Sequence, residues 1–134
     1  MALTVFDADV LIGYLDRSDS HHDQAVERVR EAVRGRGHLR VCVVTYAEIL
    51  IGPIRAAGRR GVERVDRMLG DFDIQQVAVD AQLARAAAEV RGQTKLTLGD
   101  AFVVATAVSA RRRGFEDVRV ESFDERVRKA FSTS

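Results

Sequence analysis

Val5-Phe6-Asp7-Ala8-Asp9-Val10-Leu11-Ile12-Gly13, written VFDADVLIG, is an apolar run interrupted twice by aspartate, two positions apart. A strand readily hides Leu3, Val5 and Phe6, but it gains nothing by burying two like charges. Taking a carboxylate out of water costs several kcal/mol unless a cation or hydrogen bonds compensate. The stretch therefore reads as a strand ending at an open sheet edge, where something calls for negative charge.

Outward from it, the chain alternates strand and helix. Residues 3–7 read as a strand and 9–16 as a short helix. Ser20 and Asp23 resemble a helix start, after which Ala25, Val26, Val29, Ala32 and Val33 recur at helical spacing as far as Gly35. Leu39 to Val44 is brief and β-branched, a second strand. Thr45 opens a helix that Gly52-Pro53 interrupts and that ends near Gly58; Val62, Val65, Met68 and Leu69 mark another. Ile74 to Val79 is a third strand, and Asp80 caps a helix to about Arg91. Asp100 begins a strongly apolar helix to about Arg113, Val118 to Val120 is a fourth strand, and a short helix follows Asp124. Such alternation predicts one α/β domain over residues 1–134, a three-layer arrangement with a central parallel sheet flanked by helices.

Bulk properties agree. A chain of 134 residues with 46% hydrophobic and 31% charged content is globular in composition and of single-domain length. Its only cysteine, Cys42, excludes an internal disulfide framework and fits a reducing compartment. No stretch has the pattern of a signal peptide, and the longest apolar run is too short to span a bilayer. The expected location is the cytoplasm. Net charge is only +1, yet 19 of the 21 basic residues are arginine, clustered at Arg59-Arg60, Arg111 to Arg113 and along 28–40. These clusters suit either phosphate contacts or an ordinary solvated surface. His21 and His22 lack metal-ligand partners at useful spacing and read as surface or capping residues, and the aromatic residues are too scattered for a base-stacking platform.

In open α/β sheets, ligands collect beyond the carboxyl ends of the strands. Four acids fall there: Asp7 after the first strand, Glu48 in the first turn after the second, Asp100 opening the apolar helix, and Asp124 past the fourth. Oxygen donors from separate elements suit a hard cation, Mg²⁺ or Mn²⁺, and without one such carboxylates repel strongly. Each acid also has a local alternative. Thr45 to Glu48 matches a capping box, Asp100 and Asp124 complement helix N-termini, and Asp9 reads as the N-cap of the first helix.

VFDADVLIGYL, VTYAEILIGP, LTLGDAFVVATA and VESFDERV, in this order and spacing, resemble the four motifs of PIN-domain ribonucleases, particularly VapC-type toxins of toxin–antitoxin pairs. The resemblance covers essentially the whole chain. It implies an acidic, Mg²⁺- or Mn²⁺-dependent endoribonuclease that hydrolyses RNA by means of a metal-activated water and leaves a 5′-phosphate. Carried over, the catalytic acids fall on Asp7, Glu48, Asp100 and Asp124, with the Ser122 hydroxyl lining the site. Asp7 and Asp100 would hold the metal directly, while Glu48 and Asp124 would complete the cage through water or a second ion. A VapB-type antitoxin that covers the acidic groove and rests against Ile49, Ile51 and Ile54 is implied as partner, along with an RNA substrate and a homodimer. The chain departs from the pattern at Asp9, where the family commonly has Ser, Thr or Asn.

Two further readings compete. Asp7-Ala8-Asp9 after a strand also resembles the first motif of haloacid-dehalogenase-like phosphatases. However, Val10-Leu11-Ile12 replaces their usual Gly-Thr-Leu, and the late acidic pair is missing after Gly99-Asp100. The other is a catalytically inactive PIN module that binds RNA or a partner. Against it stands the retention of all four acids, because a dead site has no reason to tolerate their repulsion.

Overall fold

The computed structural model describes residues 1–134. In chain order the elements are β1 (Ala2–Phe6), α1 (Ala8–Leu15), α2 (His22–Arg34), β2 (His38–Cys42), α3 (Val43–Ala57) and α4 (Arg59–Asp71). They continue with β3 (Ile74–Val77), α5 (Ala81–Gln93), α6 (Leu98–Arg112), β4 (Asp117–Glu121) and α7 (Glu125–Ser132). The four strands form one sheet in the order β3-β2-β1-β4, and every pairing is parallel. The three-layer α/β architecture expected from the alternation is the one observed.

Strand alternation builds two cores. Phe6, Leu39 and Val41 point to one face and pack with Val10 and Leu11 of α1, Val29 of α2, Ile49 of α3 and Val65 of α4. Leu3, Val5 and Val120 point to the other face, against Val103, Val104 and Ala107 of α6 and Val127 and Phe131 of α7. Cys42 joins Leu83, Ala87, Phe102 and Ala105 in a third cluster. Helix α6 is buried nearly all round, as expected of a helix enclosed by other elements rather than lying on the surface. Its Thr106 satisfies its hydroxyl by donating 2.7 Å back to the Phe102 carbonyl.

Four local expectations are corrected. The second strand ends at Cys42, and Val43 and Val44 already belong to α3, so their β-branched preference yields to the helix that follows. Helix α3 also runs through Gly52-Pro53. The ring removes one backbone donor there, but α4 packs so closely that a Cβ on Gly61 would lie 2.0 Å from the Pro53 carbonyl oxygen. The third strand stops at Val77. Helix α2 begins at His22 and has no side-chain cap, so Ser20 does not start it.

The path of the chain positions the site. It moves outward from β1 to β2 to β3, then returns past β1 to lay down β4 on its other side. The carboxyl ends of β1 and β4 therefore flank the point where the winding direction reverses, the usual ligand crevice of open parallel sheets.

Candidate active site

The register places Phe6 opposite Glu121, and the Asp7 amide donates 2.9 Å to the Glu121 carbonyl. The residues just beyond, Asp7 and Ser122, thus meet at the crevice. Asp7, not Asp9, is the N-cap of α1: Oδ1 accepts from the Ala8 amide at 2.7 Å. Its Oδ2 accepts from the Ser122 hydroxyl at 2.7 Å. Asp7 is only 5% exposed and Ser122 is fully buried. Burial raises the Asp7 pKa from 3.8 to about 7; the Ser122 and Ala8 hydrogen bonds oppose this, and the charges of Asp9 and Asp100 add to it.

Asp9 sits in the first turn of α1 and turns inward. One oxygen accepts from the Phe123 amide at 3.0 Å and lies 3.4 Å from the Ser122 hydroxyl. The other, Oδ1, is buried with no hydrogen-bond partner. Burial holds the Asp9 pKa above its ordinary value, with Asp100 contributing. Unpartnered buried carboxylate oxygens are rare in folded proteins and call for an explanation.

Glu48 does not form the capping box that its spacing suggested. Helix α3 starts two residues before Thr45, whose hydroxyl is buried and unpartnered, so the Glu48 carboxylate is released from local duty. It lies against the start of α6, where a Cβ on Gly99 would come within 2.9 Å of Oε2 and 3.0 Å of Oε1. Glycine makes that approach possible. Asp100 follows in the first turn of α6, its amide donating 3.2 Å to the N-cap Thr97. The helix N-terminus favours both carboxylates. The charge of Asp100 raises the pKa values of Asp7, Asp9 and Glu48 alike, with burial the larger cause for each. Four acids therefore share one electrostatic environment, and Asp9 is among them.

Asp124 behaves differently. Its backbone amide donates 3.0 Å to Ser122 Oγ, which places it beside the cluster. Its carboxylate instead caps α7 and grips Arg126: Oδ1 accepts from the Arg126 amide at 2.9 Å and Nε at 3.2 Å, and Oδ2 from Nη2 at 2.9 Å. The Arg126 guanidinium holds the Asp124 pKa below the usual range. Next to the same loop, His21 stacks on Phe123, with ring centroids 5.1 Å apart and planes inclined by 23°. This is a contact between two elements that the sequence reading of His21 as surface or capping did not contain.

The donor set fits a hard divalent cation. It is all oxygen, it is mutually repulsive as it stands, and one buried Asp9 oxygen has no partner. No three of these side chains are gathered closely around a single point. The sequence marked Asp7, Glu48, Asp100 and Ser122 because motif position shows them. It gave Asp9 only the N-cap role that Asp7 in fact fills, since the partners of Asp9 depend on the β1–β4 register. Gly99 is visible in LTLGD only once Glu48 is known to lie against it.

The carboxylates thus lie at the switch point of a four-stranded parallel sheet walled by helices on both faces, a PIN-like α/β domain. The PIN domain family profile matches residues 4–131, and the chain belongs to that family. The fold is similar to that of Mycobacterium tuberculosis VapC20, described as a sarcin-ricin loop cleaving toxin, with a TM-score of 0.71 and 16% identity over 95% of this chain and 94% of that one. It is also similar to a toxin–antitoxin complex from Klebsiella pneumoniae (TM-score 0.63, 20% identity, 90% and 86% covered). A third similar structure is VapBC2 from Rickettsia felis, bound to a promoter DNA fragment (TM-score 0.65, 9% identity, 91% and 99% covered). No curated protein matches the chain.

Proposed function

We propose that this protein is a metal-dependent endoribonuclease and the toxic member of a VapBC-like toxin–antitoxin pair. The observation that carries the reading is the shared field of Asp7, Asp9, Glu48 and Asp100 at the sheet's switch point, with an unpartnered buried oxygen on Asp9. The PIN family and the similarity to toxin structures support it.

Asp7 and Asp100 would hold Mg²⁺ or Mn²⁺, and Glu48 of α3, whose carboxylate lies against the start of α6, would complete the site. Such an ion, when bound, lowers the pKa of water and offsets charge on phosphate oxygens. Ser122 fixes the Asp7 carboxylate and favours its charged form. No side-chain nucleophile is required, and Ser122 is poorly suited to be one, since it is fully buried and donates to Asp7.

The phosphatase reading needs Asp7 as an exposed nucleophile, whereas both its oxygens are engaged and the residue is buried. Purified protein should cleave RNA with Mg²⁺ or Mn²⁺ and be silenced by EDTA. Asp7→Asn and Asp100→Asn should each lower the rate at least about a hundredfold. Cleavage that survives chelation or either substitution sinks the assignment, and a protein that binds RNA without cutting it is the inactive module instead.

The partner reading is a VapB-type antitoxin whose segment enters a cavity of about 490 Å³ that opens beside Glu48. Ile12, Leu15, Ile49, Gly52 and Pro53 line it. At 100° per residue, Glu48, Ile49, Gly52 and Pro53 share one face of α3, while Ile51 and Ile54 lie on another. The three isoleucines expected together are therefore divided. Ile49 is buried in the core, and Ile51 and Ile54 are exposed and available to a second copy of the chain in a homodimer. No helix is long and apolar enough to cross a membrane, and we assign the protein to the cytoplasm.

A further inference from the structure

We propose that Arg126, aimed by Asp124, is a phosphate-binding subsite for the RNA strand beside the acidic cluster, and that Asp124 is a positioning residue rather than an ion ligand. The proposal rests on the endoribonuclease reading.

The geometry is a relay. Ser122 Oγ donates to Asp7 at 2.7 Å and accepts the Asp124 amide at 3.0 Å. Asp124 in turn holds the Arg126 guanidinium through Nε and Nη2. Both carboxylate oxygens of Asp124 are thus turned toward a cation of its own chain. The Arg126 side chain is nevertheless 73% exposed, and its Nη1 makes no hydrogen bond within the protein. The free edge of the planar guanidinium is left to face solvent, and a guanidinium presents paired donors that match phosphate oxygens.

Charge supplies the reason for such a group. A cluster of carboxylates repels an RNA backbone, and a net charge of +1 provides no global attraction. An isolated exposed ion pair contributes little to stability, so the fork between Asp124 and Arg126 is not explained by folding. Held by Asp124, whose own amide donates to Ser122, Arg126 gives the incoming strand a positive contact next to the acids. Asp124 then carries two duties: it caps α7 and it fixes the guanidinium.

The test measures two affinities separately: a fluorescein-labelled mixed-sequence single-stranded RNA by anisotropy, and Mn²⁺ by electron paramagnetic resonance. Arg126→Ala should weaken RNA binding about tenfold and reduce the salt slope by about one. Arg126→Lys should recover only part of this, because an ammonium cannot be forked by one carboxylate. Asp124→Ser keeps a capping side chain and should weaken RNA binding about threefold. Both Arg126→Ala and Asp124→Ser should leave Mn²⁺ affinity within about twofold, whereas loss of a metal-site partner typically costs ten- to a hundredfold. Thermal melts confirm that each variant is folded. The subsite is overturned if Arg126→Ala binds RNA with unchanged affinity and slope, or if Asp124→Ser weakens Mn²⁺ binding tenfold. A protein that cleaves RNA but ignores Arg126 loses only the subsite. One that neither binds nor cleaves RNA loses both readings.

Discussion

A carboxylate that is 5% exposed, between a hydroxyl and a backbone amide, is held near neutrality in the metal-free protein, and this has a measurable sign. The Asp7 pKa rises from 3.8 when unfolded to about 7 when folded. Between those values the native state binds more protons than the unfolded chain, so stability falls as pH rises. The penalty is absent below pH 3.8, complete above about 7, and amounts to roughly 4 kcal/mol as an upper figure. Asp7→Asn removes the charge but loses one good acceptor, so in EDTA at pH 8 it should be more stable than the parent by about 1–3 kcal/mol. The difference should shrink toward pH 4. Urea unfolding at the two pH values measures it, and an Asp7→Asn protein equally stable or weaker at pH 8 contradicts the account. Ser122→Ala removes a hydrogen bond that favours the charged form, so Asp7 should titrate higher still. Metal-supported cleavage should then fall about tenfold near neutral pH and partly recover in alkali, as pH–rate profiles would show. Asp7 and Ser122 were legible because each follows an apolar strand within a motif. The part played by Asp9 was not, because its partners Phe123 and Ser122 lie more than a hundred residues away in sequence and meet it only through the β1–β4 register.

At the scale of elements, two glycines separate packing from function. Gly99 lets the Glu48 carboxylate approach α6, and the nearest atoms to an added Cβ are the far end of that flexible side chain. Gly99→Ala should therefore change stability by less than about 1 kcal/mol while displacing Glu48, with cleavage reduced about tenfold or more. An unchanged rate removes Glu48 from the site. Gly61 has no such escape, since its added Cβ would meet the Pro53 backbone oxygen at 2.0 Å. Gly61→Ala must push α3 and α4 apart and should destabilise by about 3 kcal/mol or more, read as a lower melting temperature. The same contact explains why the Pro53 signal misled the sequence reading. Propensity marks Gly-Pro as a helix break, but a helix held against α4 keeps its path despite one missing donor. Helix α5 shows the opposite case: Asp80 caps it as the sequence states, because a cap is a local bond, here 2.8 Å to the Leu83 amide.

For the whole molecule, the helix-flanked parallel sheet and the near-neutral overall charge were readable from alternation and composition, whereas the strand order β3-β2-β1-β4 and the surface relief were not. Helical periodicity alone did not reveal which side of α3 faces a groove, since that depends on α1 lying across it. The cavity beside Glu48 joins Ile12 of α1 to Gly52 and Pro53 of α3, and Ile12 is 37% exposed. An antitoxin segment that shields the carboxylates should cross this groove and place an apolar side chain on Ile12. Ile12→Lys puts an ammonium where that contact is made, and a position so exposed should tolerate the change with little loss of stability. The Ile12 side chain makes none of the hydrogen bonds that hold the acids, so RNA cleavage by the purified variant should stay within about threefold of the parent. Co-expression with a cognate VapB-type antitoxin should rescue growth for the parent protein but not for Ile12→Lys. Full rescue of the variant would mean that the partner docks elsewhere, with the exposed Ile51 and Ile54 face as the next surface to substitute.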